Sequence, residues 1–595
     1  MTGQPTTSRR IPLAAFLVIA AALLLHAPSL GHGFEYDDFI HQYLLRYAMD
    51  WPDAGPWRLY DYSYWVHASR DHATTVLAPW WVSPDFKLSF FRPLSSLSIW
   101  ADYQLYHGWA PGYHATNLAA FALLLLLTFQ LFLELGVPRR AALWALAFLA
   151  FNGNHALLVG WIANRNEVLA SLLTVAMMIS LCRHGRMGGR ARLAAAAVLF
   201  LCACMAKESG LIGLPLAGLY LFTIQAPPSA RGVFARCSHV ARSPVAWVFG
   251  LVTVVYLTGY VLAGHGSFSA NYATPLHRSG AYFARMASLL PLATGSLFFG
   301  IATDVVFTRP QLHVPVLALS SALFLLLLRI GWRWLRAVPA AWFAAGWVVA
   351  ALVPMAGVTL SDRLLMSASI GSSLAMGLLM HELGGWGGVR GNLRERWPGL
   401  LFVVTGLLVA IPAGLLRGEM FHRMAAADRS AISAMDIDRR AGASPTVVLL
   451  NSPSSLLALT MSPTWAVTHD DPATPIYMLN IARRPVTFLW EDPQSVVMRA
   501  GDPPLLAHRY ERVFHTREEP PQAGTVFETP AFSATVLQTG SEGIRSVRFA
   551  FKQPLDGAAL EFMAWQDGGY RRVAAPDTGA NLELPRPEPT VRWVP

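Results

Sequence analysis

The sequence predicts a polytopic α-helical membrane protein with a C-terminal all-β extracytoplasmic domain. Three observations lead there. Of 595 residues, 54% are hydrophobic and only 14% charged, a balance too apolar for a soluble enzyme. Apolar runs of about 18 residues or more recur, the length needed to cross a hydrocarbon core of roughly 30 Å. Past Thr446 those runs stop, and short alternating stretches punctuated by proline replace them.

Taken in order, Arg9 and Arg10 precede an apolar run at 11–30. That run is long for a signal peptide and lacks a small-x-small cleavage site, so it reads as an uncleaved helix with a cytoplasmic N-terminus. Residues 31–113 form a first outer loop whose many Trp and Tyr suit the membrane interface. Apolar runs follow at 115–135, 141–159, 166–182, 193–206, 209–225 and 244–263. Arg139/Arg140, Arg183/Arg186/Arg190/Arg192 and Arg231/Arg236/Arg242 occupy alternate connections, which the positive-inside rule places in the cytoplasm. The net charge of +10 therefore orients helices and does not mark a nucleic-acid partner.

A second large outer loop covers 264–311. Its run at 284–301 contains Pro291, Gly295 and Gly300 and reads as interfacial or re-entrant. Only then do the basic connections at Arg329/Arg333/Arg336 and Arg390/Arg394/Arg396 both fall inside. Runs at 312–328, 338–356, 364–381 and 398–416 complete about eleven crossings. The expected division is a membrane domain at 1–416, an amphipathic connector at 417–445 and a β-sandwich-like domain at 446–595 on the outer face. Strands are expected at Thr446–Leu450, Ser495–Arg499, Phe532–Gln538 and Ser546–Lys552, with a turn at Asp567-Gly568-Gly569. The four cysteines lie in or beside apolar runs or in a basic loop, so no disulfide framework is expected, and Cys202-x-Cys204 reads as packing.

Polar residues at the outer helix connections are the ones that could carry chemistry. Tyr36-Asp37-Asp38 follows the first helix closely. An Asp there caps a loop helix, or it serves as a general base on an acceptor hydroxyl, with the second carboxylate raising its pKa or positioning the acceptor. Arg92 either snorkels at the interface or helps position a ligand, and His114 is either a satisfied interfacial histidine or a positioning group. Arg165 and Glu167 form a plain ion pair, or else hold a phosphate and an acceptor respectively. Lys207-Glu208 is either a neutralised turn or a site where the cation meets a lipid phosphate. Arg363, in Ser361-Asp362-Arg363, offers a further fork for an anion.

In chain order these residues resemble a family. Tyr36-Asp37-Asp38, Phe91-Arg92-Pro93-Leu94 and Gly112-Tyr113-His114-x-x-Asn117 are similar to the first outer loop of the tetratricopeptide-repeat transmembrane O-mannosyltransferases. His155…Trp161-Ile162-Ala163-Asn164-Arg165-Asn166-Glu167, Ala206-Lys207-Glu208-Ser209-Gly210 and Ser361-Asp362-Arg363-Leu364 resemble later segments of the same enzymes. These belong to the C-type (GT-C) glycosyltransferase superfamily, together with protein mannosyltransferases, aminoarabinose transferases and oligosaccharyltransferases. The resemblance covers residues 1–416. It departs at Glu167, where the family has Asp, at Leu364 and Met366, where it has aromatics, and in lacking the C-terminal repeat array.

The resemblance implies an inverting transfer of a sugar from a polyprenyl-phosphate donor to an acceptor hydroxyl on protein, glycan or lipid, at the outer face of a bacterial-type inner membrane. It assigns Asp37 as base with Asp38 its partner. Arg165, Lys207 and Arg363 would hold the donor phosphate, and Arg92, His114, Glu167 and Glu208 would position donor and acceptor. Membrane lipids are the remaining partner. No cofactor is expected; two neighbouring aspartates could touch a divalent cation but fall short of a full shell. The rival readings are a lipid or small-molecule transporter or flippase, for which the halfway repeat and midplane helix breaks are missing, and a non-catalytic scaffold.

Overall fold

A computed structural model describes residues 11–72, 75–269, 271–275, 277–358, 360–383, 393–438, 444–517 and 519–591. Arg9, Arg10 and Arg390, used above for orientation, lie outside the described residues, as do the side chains of Arg333, Arg336, Arg394 and Arg396. The chain forms two compact units, Met1–His32 with Phe91–Ala263 and Ala273–Glu419, and Gly33–Phe90 with Gly264–Tyr272 and Met420–Pro595.

The first unit is helical. Among the described residues, seven helices are long and apolar enough to cross a membrane: Leu13–Gly31, Ala110–Glu134, Ile162–Met187, Pro244–Leu262, His313–Trp332, Pro339–Gly357 and Gly399–Ser433. Four further expected crossings fold as Arg139–Ala150, Arg190–Ala206, Gly213–Thr223 and Met366–Glu382. At 1.5 Å per residue each spans only roughly 16–26 Å, so helix length does not establish the count of about eleven. Chain breaks set these lengths. Lys207 is extended (φ −163°, ψ 149°) and divides the run 193–225 into two helices. The run 284–301 lies in the helix Ser279–Phe299, which contains Pro291 and is not one of the seven.

Small residues let these helices meet closely. A Cβ on Gly377 would collide with the Ala141 carbonyl and Ala145, and one on Gly153 would collide with the Ala410 carbonyl. The Gly153 contact seats the turn at Asn152–Asn154 on residues 410–414 and so brings Asn154 to Arg417.

The second unit contains the β structure. Six antiparallel strands run in the order Asn581–Leu584, Val486–Asp492, Ser495–Ala500, Gly543–Phe551, Phe532–Gly540 and Val526–Glu528. Four more run Gly569–Val573, Leu560–Gln566, Thr446–Leu449 and Ile476–Met478. Trp490 and Phe551 pack on Phe562 at ring separations of 6.1 and 5.6 Å, which joins the sheets through one core. All four expected strands form within three residues of their expected ends. The turn at Asp567-Gly568 is a two-residue hairpin with φ of 50° and 78°, the left-handed region that Asp and Gly tolerate.

The domain departs from an all-β expectation in a single helical turn, Arg509–Arg512, and in one crossover. Residues Ser455–His469 form a helix, capped by Ser454 and crossing between the parallel strands Thr446–Leu449 and Ile476–Met478. Pro463 inside this apolar stretch hides its helical period, and a parallel pair requires just such a crossover. Residues of the loop expected at 31–113 also belong to this unit: Trp80 packs on Phe549 at 5.2 Å, and Trp81 donates to the Glu511 carbonyl at 3.0 Å.

Candidate functional site

In the first unit, the stretch from Asn154 to Glu167 runs past three charged clusters. A short helix (His155–Gly160) and a single turn (Ile162–Asn164) carry it into the helix Arg165–Met187.

Arg165 anchors the first cluster and is 1% exposed. Its Nε donates to Asn117 Oδ1 at 2.5 Å, Nη1 to the Ser98 carbonyl at 3.2 Å and Nη2 to the Tyr113 carbonyl at 2.9 Å. Nη2 also meets Asp102 Oδ2 at 2.5 Å. Every guanidinium nitrogen is engaged, so this arginine ties the helix starting at Pro93 and the helix starting at Ala110 to its own. It does not present a fork to a ligand. Burial raises the pKa of Asp102, opposed by Arg165 and by the Thr116 hydroxyl. His114 is fully buried on the same Ala110 helix, edge-on to His32 with ring centres 6.1 Å apart.

Four sequence-predicted residues meet in the second cluster. Lys207 Nζ lies 2.9 Å from Glu167 Oε2, which also accepts from Ser209 Oγ at 3.3 Å. Arg92 donates to Glu208 Oε2 through Nε at 2.9 Å and Nη2 at 2.8 Å. The extended backbone at Lys207 turns it and Glu208 out of the helix line, and Ser95 secures the turn by donating to the Ala206 carbonyl at 2.7 Å. Burial lowers the pKa of Lys207; Glu167 opposes the shift, and Arg92 adds to it. Two cations and two anions thus share one partly open patch.

The third cluster surrounds Asp362. Its carboxylate accepts from Ser296 Oγ at 2.9 Å, Thr303 Oγ1 at 2.6 Å and the Thr303 amide at 3.2 Å, and it is paired with Arg417. Arg417 donates in addition to Asn154 Oδ1 at 3.3 Å. Asp304 accepts from the Asp362 amide at 3.4 Å. Burial, with the charge of Asp362 behind it, raises Asp304 to about 6. Arg363 points its guanidinium over the Trp161 ring, 4.9 Å from the centre. It is half-buried and lies beside an acidic pair.

The predicted aspartates are in the second unit. Asp37 and Asp38 open the helix Asp37–Tyr47, where the helix dipole favours carboxylates. Asp38 is 2% exposed and serves the turn itself: its Oδ2 accepts from the Glu35 amide at 3.0 Å. Asp37 is half-buried. Tyr36, just before them, holds φ at 41°, an unfavourable value for a side chain of its size. Its hydroxyl donates to Asp428 Oδ2 at 3.0 Å and its ring packs on Phe421, which keeps the bend in place.

Beside them is a group that sequence reasoning passed over. Glu35 is 3% exposed, and its Oε1 lies 2.5 Å from His422 Nδ1, while Oε2 has no hydrogen-bond partner among the described residues. Burial pushes its pKa up to about 8, against the pull of Arg429. A clue was available: Glu35 directly precedes Tyr36-Asp37-Asp38, and His422, Asp428 and Arg429 lie among the charged residues at 417–433 that follow the last apolar run. Asp102, Asp304 and Arg417 left no such local signal.

No protein-family model and no curated protein sequence matches the chain. Among solved structures, the oligosaccharyltransferase of Archaeoglobus fulgidus tethered with an acceptor peptide matches 79% of this chain at 11% identity and a TM-score of 0.42. The chain spans 64% of that protein's length. ArnT from Cupriavidus metallidurans bound to undecaprenyl phosphate matches 78% of this chain and 85% of its own, at 14% identity and a TM-score of 0.36. The apo state of the same protein gives 13% and 0.38. At these scores and identities the likeness says nothing about chemistry, which rests on the residues described above.

Proposed function

We propose that this chain is an inverting C-type glycosyltransferase, moving a sugar from a polyprenyl-phosphate donor to an acceptor hydroxyl at the outer face of the membrane. The single observation that supports this best is the meeting of Arg92 and Glu167, from two distant segments, with the adjacent Lys207 and Glu208 in one partly open patch. Lys207 spends one ammonium donor on Glu167, and charge-assisted hydrogen bonds from its other donors would stabilise a lipid phosphate while Glu167 stays paired. In this reading Lys207 and Arg363 take the donor phosphate. Arg92, Glu167 and Glu208 position donor and acceptor by holding the cations in place. Arg165 and His114 act on the scaffold: Arg165 fixes the helix from which Glu167 projects.

Asp37 is the proposed base, with Asp38 setting its geometry through the Glu35 amide. An acceptor hydroxyl loses its proton to Asp37 as its oxygen attacks the anomeric carbon; the bond to the phosphate oxygen breaks, and the lipid phosphate leaves with the electron pair. One displacement inverts the centre. No cofactor enters the proposal. The acceptor is a protein, glycan or lipid hydroxyl.

The test is sugar transfer from a panel of polyprenyl-phosphate donors by the purified full chain and its Asp37→Asn variant. Loss of about 10²–10⁴-fold in rate with the donor still bound is expected of a missing general base. Equal rates would remove Asp37 from the chemistry. No transfer by the wild type with any donor would leave the scaffold reading in its place.

A further inference from the structure

We infer that the bundle end carrying residues 225–243 binds an anionic phospholipid, its acyl chain in a groove between two helices and its headgroup on Arg231, Arg236 and Arg242. The site is independent of the proposed transfer chemistry.

The groove lies between the helix Gly213–Thr223 and the short helix Val233–Arg242. Pro215, Gly218, Leu219 and Phe222 line one wall and Cys237, Val240 and Ala241 the other, around an open volume of about 440 Å³. Every lining residue is apolar or small, so the groove suits a hydrocarbon chain and offers no polar ligand a partner. The short helix is amphipathic: Val233, Phe234, Cys237, Val240 and Ala241 gather on one arc, while Arg236, His239 and Arg242 share the other. None of its ten residues is buried, and Phe234 is 93% exposed. The next helix, Pro244–Leu262, is one of the seven membrane candidates, which keeps this segment close to the apolar boundary.

Charge selects the occupant. Residues 209–303 contain no Asp or Glu at all. Among the described residues, Arg231, Arg236 and Arg242 enter no ion pair. Arg236 donates to the Phe222 carbonyl at 3.3 Å and lies over its ring, which docks the short helix on the end of its neighbour and leaves other donors available. A second basic group at the same end behaves differently. Gln225 donates to the Gly185 carbonyl at 3.3 Å, which places the two connections side by side. There Arg183 and Arg186 both pair with Glu134. One set of arginines is neutralised by the protein and the other is not. Three cations without an ion pair among the described residues, on the segment that forms one wall of an apolar groove beside a membrane candidate helix, match a lipid with an anionic headgroup.

The experiment places the full chain in nanodiscs of phosphatidylglycerol and phosphatidylcholine in equal parts and counts retained lipids by native mass spectrometry. The wild type is expected to retain phosphatidylglycerol over phosphatidylcholine by about tenfold, and Arg231→Gln/Arg242→Gln to bring that ratio near one. Both substituted side chains are exposed and leave the Arg236 hydrogen bond intact, so the fold is undisturbed. Gly218→Leu, at a glycine with open space before Val240, fills the groove and should lower retention of both lipids. Equal retention of the two lipids by the wild type, or a preference unchanged in the double variant, overturns the proposal. So does a doubled protein mass in phosphatidylcholine alone, which would put a second copy on this face.

Discussion

Arg165 and Lys207 are both cations from the same helical unit, both at helix connections, and both suggested by sequence as ligands for a phosphate. Their surroundings differ. Arg165 is enclosed by Asn117, Asp102 and the carbonyls of Ser98 and Tyr113, one or more acceptors for each nitrogen. Lys207 meets a single carboxylate oxygen that also serves Ser209. The planar guanidinium matches a fixed set of acceptors, whereas an ammonium has three rotatable donors and here keeps some in reserve. Residue type and burial do not separate a structural cation from a binding one. Saturation of its donors does.

The largest effect that would test this contrast is on stability. Arg165→Met leaves Asp102 buried without its cation and should cost about 3–5 kcal/mol, read as a lowered Tm in detergent. Arg165→Lys should recover little, because an ammonium cannot reach four acceptors spread over two helices. A variant that kept the wild-type Tm and lost only donor binding would reverse the assignment.

Lys207→Met should do the opposite. Transfer is expected to fall about 10²–10³-fold, with the Tm moving less than in the Arg165 variant, and Lys207→Arg should recover part of the rate. Unchanged rates would make Lys207 a second structural cation.

Glu35 extends the comparison to a buried carboxyl group with an oxygen left over among the described residues. Its folded pKa of about 8 lies above its ordinary value of 4.5. The stability it contributes is therefore full below about pH 4.5 and is lost as pH rises through about 8, by up to ~1.4 kcal/mol per pH unit in that window. Glu35→Gln should flatten the dependence, followed by thermal unfolding between pH 5 and 8.5. A slope that persists in the variant would trace to another group.

Much of this was legible in the chain itself. Alternation of Val547, Phe549 and Phe551 marked a strand, and Asp567-Gly568 marked the hairpin, since both signals are local. Arg92, Glu167, Lys207 and Glu208 stood out because each interrupts an apolar pattern at a helix end. The crossover helix Ser455–His469 did not, because a short apolar run with an internal proline has no distinctive period. Nor did Asp304 and Arg417, which acquire their roles only by lying near Asp362, more than fifty residues from each.

By itself, then, the sequence determined that this is a helical membrane protein with a β-rich C-terminal region, and which polar residues could carry chemistry. Hydropathy and residue type are properties of neighbours along the chain, so they survive without a fold. The tertiary structure alone decided which of those residues are already committed. Arg165 lost its freedom to acceptors drawn from two other helices, Asp38 gave its carboxylate to a backbone amide, and Lys207, among the described residues, meets one carboxylate oxygen. Pairing depends on where distant segments meet, and close packing at positions such as Gly153 sets that meeting.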